Sequence, residues 1–314
     1  MQVFRGFPEQ AKEACVLTIG NFDGLHRGHQ ALLKQLTDKA GALGVPAVVL
    51  TFEPHPREYF APDKAPARLA SLREKLQLLA TSGVDRVHVC RFDARFSAQS
   101  ASSFIEDVLV KGLAVRHLFI GDDFRFGAGR KGDFAMLQAA GRDFGFGVES
   151  MPTLAVAGER ASSSAVRSAL AGGDLEHAAQ LLGRPYSIAG RVVHGDKIGR
   201  QLGFPTLNIQ LKHRRPPLSG VFAVSVEGLE GGRLAGVANV GVRPTATDAG
   251  RARLEVHLLN WSGDCYGAHP RIHFLLKIRD EMKFASLDEL KTQIARDADT
   301  ARDWFALHPN CLLG

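Results

Sequence analysis

The sequence is poor in the features that would make it a secreted, membrane-bound or metal-stapled protein. Its 314 residues hold four cysteines, Cys15, Cys90, Cys265 and Cys311, with no CxxC pair or finger spacing. That argues against structural zinc and a disulfide framework, and suits a reducing compartment. No apolar run approaches the roughly 18 residues of a membrane span. The N-terminus lacks the charged-then-apolar layout of a signal peptide. The chain is therefore expected in the cytoplasm, with no membrane partner. It also lacks internal repeats, low-complexity linkers and any long Lys/Arg run. Lys and Arg number 39 against 33 Asp and Glu, a net +6, but the basic residues are scattered. Such scatter argues against nucleic acid as a partner, and small anionic substrates explain the excess as well.

What the chain does have is ordinary globular composition, 45% apolar and 23% charged, with length for two domains. The stretch Val16–His29 reads as strand, tight loop and helix start, followed by Leu32, Leu33, Leu36 and Ala40 at helical spacing. Ala47–Phe52 is a buried parallel strand in this reading. It ends in Glu53-Pro54-His55-Pro56, whose prolines are expected to forbid both helix and ladder pairing. Leu69–Leu79, Ser102–Leu113 and Phe134–Phe144 read as helices. Val84–Phe92, Val115–Ile120 and Gly147–Pro152 read as strands. This alternation predicts an α/β doubly wound parallel sheet, with ligands beyond the carboxyl ends of its strands. Near Gly183-Arg184-Pro185 the character changes. Strands are expected at Ser187–Val193, Val221–Val226, Arg233–Val240, Arg253–Asn260 and Arg271–Ile278, in a small antiparallel β-barrel closed by a C-terminal helix at Leu287–Phe305. The expected domains are residues 1–184 and 185–314.

His26 and His29 lie three apart, on one face of a helix's first turn. They can be read as a metal pair, a core histidine with a surface neighbour, or anion donors. Gly20, Gly24 and Gly28 let backbone approach a ligand, and a helix N-terminus favours anions, which tilts the reading towards phosphate. Ser162-Ser163-Ser164-Ala165-Val166-Arg167 precedes a short helix expected at Ala165–Leu170. A serine there is an N-cap or, with Arg167 one turn in, part of a second anion site. Gly127–Gly132 matches GxGxxG, but six residues separate it from its strand, so it is read as a loop and not a dinucleotide fingerprint. Further on, Thr206 and Asn208 share one face of an extended segment. Their hydroxyl and amide oxygens are hard ligands suited to magnesium. Glu255 alternates with Leu254 and Val256, which by itself indicates a solvated carboxylate.

Gly20-Asn21-Phe22-Asp23-Gly24-Leu25-His26-Arg27-Gly28-His29 resembles the GxFDGxHxGH loop of the bacterial bifunctional riboflavin kinase/FAD synthetase family. Ser162–Arg167 is similar to that family's SSTxIR segment, and Gly121–Gly127 to its GxDFxFG. Gly190–Asn208 resembles the flavokinase pattern GxVxxGxxxGRxxGxPTxN at every fixed position, and Gly236–Thr245 and Glu255–Leu259 resemble later flavokinase segments. The resemblance covers nearly the whole chain. It implies an HxGH nucleotidyltransferase-like Rossmann domain followed by a flavokinase-like barrel, with magnesium as cofactor and ATP as cosubstrate. Riboflavin would become FMN with release of ADP, and FMN would become FAD with release of pyrophosphate. By the same resemblance Glu255 is the general base, and Thr206 and Asn208 hold magnesium. Gly195, Lys197, Gly199, Arg200 and Gly203 cover the kinase nucleotide. His26, His29, Ser163 and Arg167 act on the ATP phosphates of the second reaction, on a loop formed by Gly20, Asn21, Phe22, Asp23 and Gly28. His55, Pro56 and Asp123 border one flavin, and Arg279 contacts the other. The chain departs from the family pattern at Ser164, Ala165 and Ala246. The alternatives are an enzyme with one degenerate half, or a flavin- or nucleotide-binding regulator without turnover.

Overall fold

The computed structural model describes residues 1–156, 158–195, 199, 202–211, 215–242 and 252–312. Lys197, Arg200 and Ala246 lie outside the described residues. The chain divides into two compact units, Met1–Pro66 with Leu72–Ser162, and Ala67–Ser71 with Ser163–Gly314.

The first unit is a six-stranded parallel sheet. Its strands are β1 (Gln2–Arg5), β2 (Cys15–Ile19), β3 (Ala47–Glu53), β4 (Arg86–Arg91), β5 (Val115–Gly121) and β6 (Gly147–Met151), ordered β1-β4-β3-β2-β5-β6. Successive residues of β2 feed opposite faces. Leu17 and Ile19 join one core with Phe104, Val108, Leu109 and Leu137, while Val16 joins another with Leu32, Leu33, Leu36 and Leu79. Helices α1 (Arg27–Leu43) and α3 (Leu72–Ala80) supply the second core, and α6 (Phe134–Phe144) the first. Both faces are covered, so the α/β doubly wound reading holds. Because β3 and β5 flank β2, the direction of winding reverses beside β2, and its carboxyl end opens onto the crevice where such folds bind ligands.

Three local expectations are corrected here. The prolines after β3 do not forbid helix: α2 (Pro56–Phe60) begins at Pro56, a first-turn position whose missing N–H has no intrahelical partner anyway. The helix expected over 102–113 is a short turn, α5 (Ala101–Ser103), continued by a wider π-type segment, Phe104–Gly112. That winding buries Ile105 along with Phe104, Val108 and Leu109. The helix expected from Ala165 begins earlier, at Ser163. Shorter elements complete this unit: α4 (Ala94–Ser97) and the hairpin of β7 (Ala155–Val156) and β8 (Glu159–Arg160).

The second unit begins with the helical pair α7 (Ser163–Gly172) and α8 (Leu175–Leu182). Seven antiparallel strands follow: β9 (Ser187–Ala189), β10 (Val192–Val193), β11 (Thr206–Ile209), β12 (Gly220–Leu229), β13 (Gly232–Val242), β14 (Ala252–Leu258) and β15 (Arg271–Arg279). Their order is β10-β11-β14-β13-β12-β15-β9. The outermost two, β9 and β10, are separated in the chain only by Gly190 and Arg191, so the sheet curls round on itself. Gly190 breaks what reads in sequence as one strand, since a Cβ there would meet the Gln210 carbonyl at 2.9 Å. The curled sheet buries Leu207, Phe222, Val224, Val256 and Phe274 inside. The C-terminal helix α9 (Leu287–Leu307) packs Ala298, Ala301 and Phe305 against its other side, near Ala223.

Candidate active sites

In the first unit the site grows from the end of β2. The Gly20 amide continues the ladder by donating to the Leu50 carbonyl, at 3.1 Å. The chain then bends through two left-handed non-glycine residues, Phe22 (φ 47°) and Leu25 (φ 46°). This conformation is uncommon and strained for bulky side chains, and burial holds it: Phe22 and Leu25 are almost fully buried. His26 caps α1, and its Nδ1 accepts from the His29 amide at 3.4 Å. A neutral His26 ring therefore carries its proton on Nε2. The His26 and His29 rings stack, with centroids 3.7 Å apart. Gly28 fits a tight space between them: a Cβ there would press on His26 Nδ1 at 3.1 Å and the Ala161 carbonyl at 3.2 Å. The first turn of α1 holds no acidic residue, so its positive end is not neutralised from within the helix.

His29 is held well below the ordinary imidazole range, first by burial and then by the charges of His26 and Lys75. It is neutral at physiological pH. Thr18 Oγ1, Asn21 Oδ1 and His29 Nδ1 are buried without hydrogen-bond partners among the described residues. Orphaned polar atoms at a helix N-terminus beside a crevice suit a polar ligand.

The other residues expected at this end are placed as follows. His55 caps α2, its Nδ1 accepting from the Arg57 amide, and Pro56 is the helix's first residue. An aromatic group of Phe52, Tyr59, Phe60, Phe92 and Phe96 adjoins them, with Phe60 67% exposed. Asp123 follows β5, exposed, with Oδ2 3.7 Å from Arg160. His55 and Asp123 thus leave the sheet from the two strands that flank β2. Ser163 and Arg167 lie on α7, in the second unit, where Arg167 Nε donates to the Ala67 carbonyl at 2.6 Å.

In the second unit a cavity of about 310 Å³ lies between the sheet and α9. Strand register builds its polar wall. Asn208 pairs with Glu255, which pairs with Asn239 across the next strand, and Thr206 pairs with His257 in the row beside them. The alternating neighbours Leu207, Val256 and Ala238 point into the buried interior. Thr206, Asn208, Asn239, Glu255, His257 and Arg279 all line the cavity. Its opposite wall is mainly apolar, from Met282, Phe284, Leu287, Leu290, Ile294 and Ala298, with the carboxylates Glu281 and Asp297 among them. The glycine-rich segment approaches the polar wall closely. A Cβ on Gly195 would overlap the Asn208 amide, and one on Gly199 would meet the Phe204 carbonyl at 2.5 Å. Gly203 adopts φ 89°.

Arg279 is fixed in place. Its Nη2 donates to the buried Asp297 at 2.7 Å, Nε lies 3.0 Å from the same carboxylate, and Gln293 donates to Asp297 at 2.9 Å. The Phe284 ring sits 5.7 Å from the guanidinium carbon. Glu281 is pushed above the usual carboxylate range by burial, against the opposing pull of Arg279. Among the described residues no group of three or more His, Cys, Asp or Glu could cage a metal. The available donors, a threonine hydroxyl and an asparagine oxygen, match an ion that keeps several waters and shares phosphate oxygens, as magnesium does.

Sequence reasoning missed Lys75, buried on α3, and Asn239. The alternation of Ala238 and Val240 carried a signal for Asn239, while nothing local marks Lys75.

Comparison with known proteins bears on both units. A family model described as FAD synthetase matches residues 8–165, and one described as riboflavin kinase matches residues 182–305. A bifunctional riboflavin kinase/FMN adenylyltransferase of Escherichia coli is 54% identical over 310 residues, covering 98% of this chain and 99% of the relative. That of Pseudomonas fluorescens is 52% identical over 304 residues, covering 96% and 97%. A crystal structure from Streptococcus pneumoniae, titled as a macrolide-efflux protein, superposes with a TM-score of 0.81 at 28% identity, covering 97% of this chain and 100% of that one. Among the described residues here, no helix is long and apolar enough to cross a membrane.

Proposed function

The chain belongs to the bifunctional riboflavin kinase/FMN adenylyltransferase family, and from that membership we propose how its residues divide the work. The protein makes flavin cofactors: with ATP it phosphorylates riboflavin to FMN, and with a second ATP it adenylylates FMN to FAD.

For the kinase step, Glu255 accepts the proton of the ribityl 5′-hydroxyl. The oxygen then bonds to the γ-phosphorus, and the bond to the leaving ADP breaks. The observation that carries this is the central place of Glu255 in the polar row, between Asn208 and Asn239 and facing the cavity. Thr206 and Asn208 would hold magnesium, which when bound offsets charge on the phosphates. The apolar wall under α9 suits the flavin ring, and Arg279, anchored by Asp297, borders it. Gly195, Gly199 and Gly203, with Lys197 and Arg200, cover the nucleotide.

For the adenylyl step, an FMN phosphate oxygen attacks the α-phosphorus of ATP and pyrophosphate leaves. His26 and neutral His29 donate to the phosphates at the start of α1, where Gly20, Asn21, Phe22, Asp23 and Gly28 shape the loop. Such transfer depends mainly on positioning and charge stabilisation, which these groups supply. Ser163 and Arg167 add a hydroxyl and a guanidinium, and His55, Pro56 and Asp123 border the flavin. The proposed place of work is the cytoplasm, which suits four free cysteines.

The test is chromatography of riboflavin, ATP and Mg²⁺ after incubation with the protein. FMN followed by FAD is expected, and the absence of any flavin conversion overturns the reading.

A further inference from the structure

Of the segment Glu255–Leu259, the kinase reading uses only the carboxylate. His257 stands two residues on, on the same face of β14, and lines the same cavity. Its Nδ1 lies 2.9 Å from the carbonyl of Pro205, the residue before β11. A carbonyl oxygen can only accept, so Nδ1 carries a hydrogen and donates it, whatever the state of Nε2. The imidazole also meets the Phe204 ring edge-on, with centroids 5.3 Å apart. Phe204 closes a turn, its amide donating to the Gly199 carbonyl at 2.8 Å. Gly199 packs so closely that a Cβ there would lie 2.5 Å from the Phe204 carbonyl and 3.4 Å from the Thr206 hydroxyl. His257 thus ties the strand of Glu255 to the turn that leads into Thr206.

We propose that His257 is a positioning residue for the ATP side of the kinase site: through Pro205 and Phe204 it holds the Gly199–Phe204 contact and the direction in which Thr206 enters β11. The inference rests on the kinase reading of that cavity. The contact is open to solvent, so water could satisfy the Pro205 carbonyl if the imidazole were removed. The bond is therefore not needed to spare a buried polar group. What it supplies is a fixed place, since Thr206 pairs with His257 across β11 and β14 and follows the held carbonyl by one residue. Phosphoryl transfer depends on setting the γ-phosphorus in line with the attacking oxygen, and a small displacement of one wall costs rate. The flavin side is held separately, by the Arg279–Asp297 pair.

The experiment compares the full-length wild type with His257→Phe and His257→Asn. Phenylalanine keeps a ring against Phe204 without the donor, whereas the asparagine amide can take the place of Nδ1–H without the ring. FMN formation is measured against ATP at saturating riboflavin and against riboflavin at saturating ATP. FAD formation from supplied FMN reports on the other unit in the same samples, and should be unchanged in both variants. For His257→Phe we expect kcat/KM for ATP to fall about tenfold, the order of one lost hydrogen bond, with KM for riboflavin changed less than about twofold. His257→Asn should stay within about threefold of the wild type in both quantities. A wild-type kcat/KM for ATP in His257→Phe overturns the proposal, as does a KM for riboflavin that rises in step with the loss. If His257→Phe does not fold, His257→Asn decides: retained ATP use supports the proposal, and the full tenfold loss overturns it. A wild type that makes no FMN overturns the kinase reading instead.

Discussion

In the proposed division of labour a single carboxylate, Glu255, carries the proton that the kinase step must move, so its removal should separate the two activities. Glu255→Ala should lower FMN formation about 10²-fold or more, the ordinary contribution of a general base, while supplied FMN is still converted to FAD. Chromatography of both reactions checks this. In the other unit, His29→Ala removes a neutral donor at the helix N-terminus. FAD formation should drop about 10²-fold, so that FMN accumulates from riboflavin. Loss of both activities by either folded variant would refute the division of labour. The histidine pair stands out in the sequence by its spacing, whereas Glu255 reads there as a solvated carboxylate and is singled out only by the family resemblance. Lys75 is not marked, since a lysine among the leucines of Leu72–Ala80 reads as part of a solvated face. It is buried, and one of its neighbours is Thr51, 24 residues earlier on β3. Asn239 shows the intermediate case, in which the strand pattern gives the face but only the register with Glu255 gives the neighbour.

Among the elements, the start of α1 shows how close packing can override helix propensity. Replacing a helical glycine by alanine ordinarily stabilises by roughly 1 kcal/mol. At Gly28 the new methyl would press on the His26 ring and the Ala161 carbonyl. Gly28→Ala should therefore show no gain in thermal midpoint and lose most FAD formation, while FMN formation persists. A stabilised variant with full FAD activity would show the contact to be dispensable. The same competition between local rule and context explains the elements that sequence misjudged. Pro56 was read as a breaker, yet it serves at the first helical position behind the His55 cap. Strand β1 gave no signal, because all four of its residues are exposed and it is held by parallel pairing with β4 and by the Phe4 ring stacked on His88. The long strands were legible from alternation, as in β14, where Leu254 and Val256 are buried and Glu255 and His257 face the cavity.

At the scale of the whole molecule, acid should weaken the first unit through its buried histidines. His29 and His88 are held below the ordinary range chiefly by burial, as is His117, where Lys39 adds to the effect and Glu149 opposes it. Below about pH 6.5 the unfolded chain takes up these protons and the folded chain does not. Stability is thus full above that pH and lost as pH falls towards the depressed folded values. The urea midpoint of this unit should be lower at about pH 5.5 than at about pH 7.5, and His88→Gln with His117→Gln should narrow the gap. An unchanged gap would assign the acid sensitivity to carboxylates.

The division of the chain leads to a second prediction at this scale. The functional boundary proposed from the sequence follows Arg184, whereas the compact unit that holds the barrel begins at Ser163. The difference is the α7–α8 pair. Helix α8 buries Leu175, Ala178, Leu181 and Leu182, and it packs against α7 and β15. Three buried leucines are worth about 5 kcal/mol of apolar transfer, comparable to the whole stability of many domains. A fragment of residues 163–314 should therefore unfold cooperatively in urea and make FMN. A fragment of residues 185–314 should unfold at lower urea or aggregate. The short segment Ala67–Ser71, held to α7 by the Arg167–Ala67 bond, is absent from both fragments, so its loss cannot account for the difference between them. Equal midpoints and equal FMN formation would show that the helical pair adds nothing to the barrel.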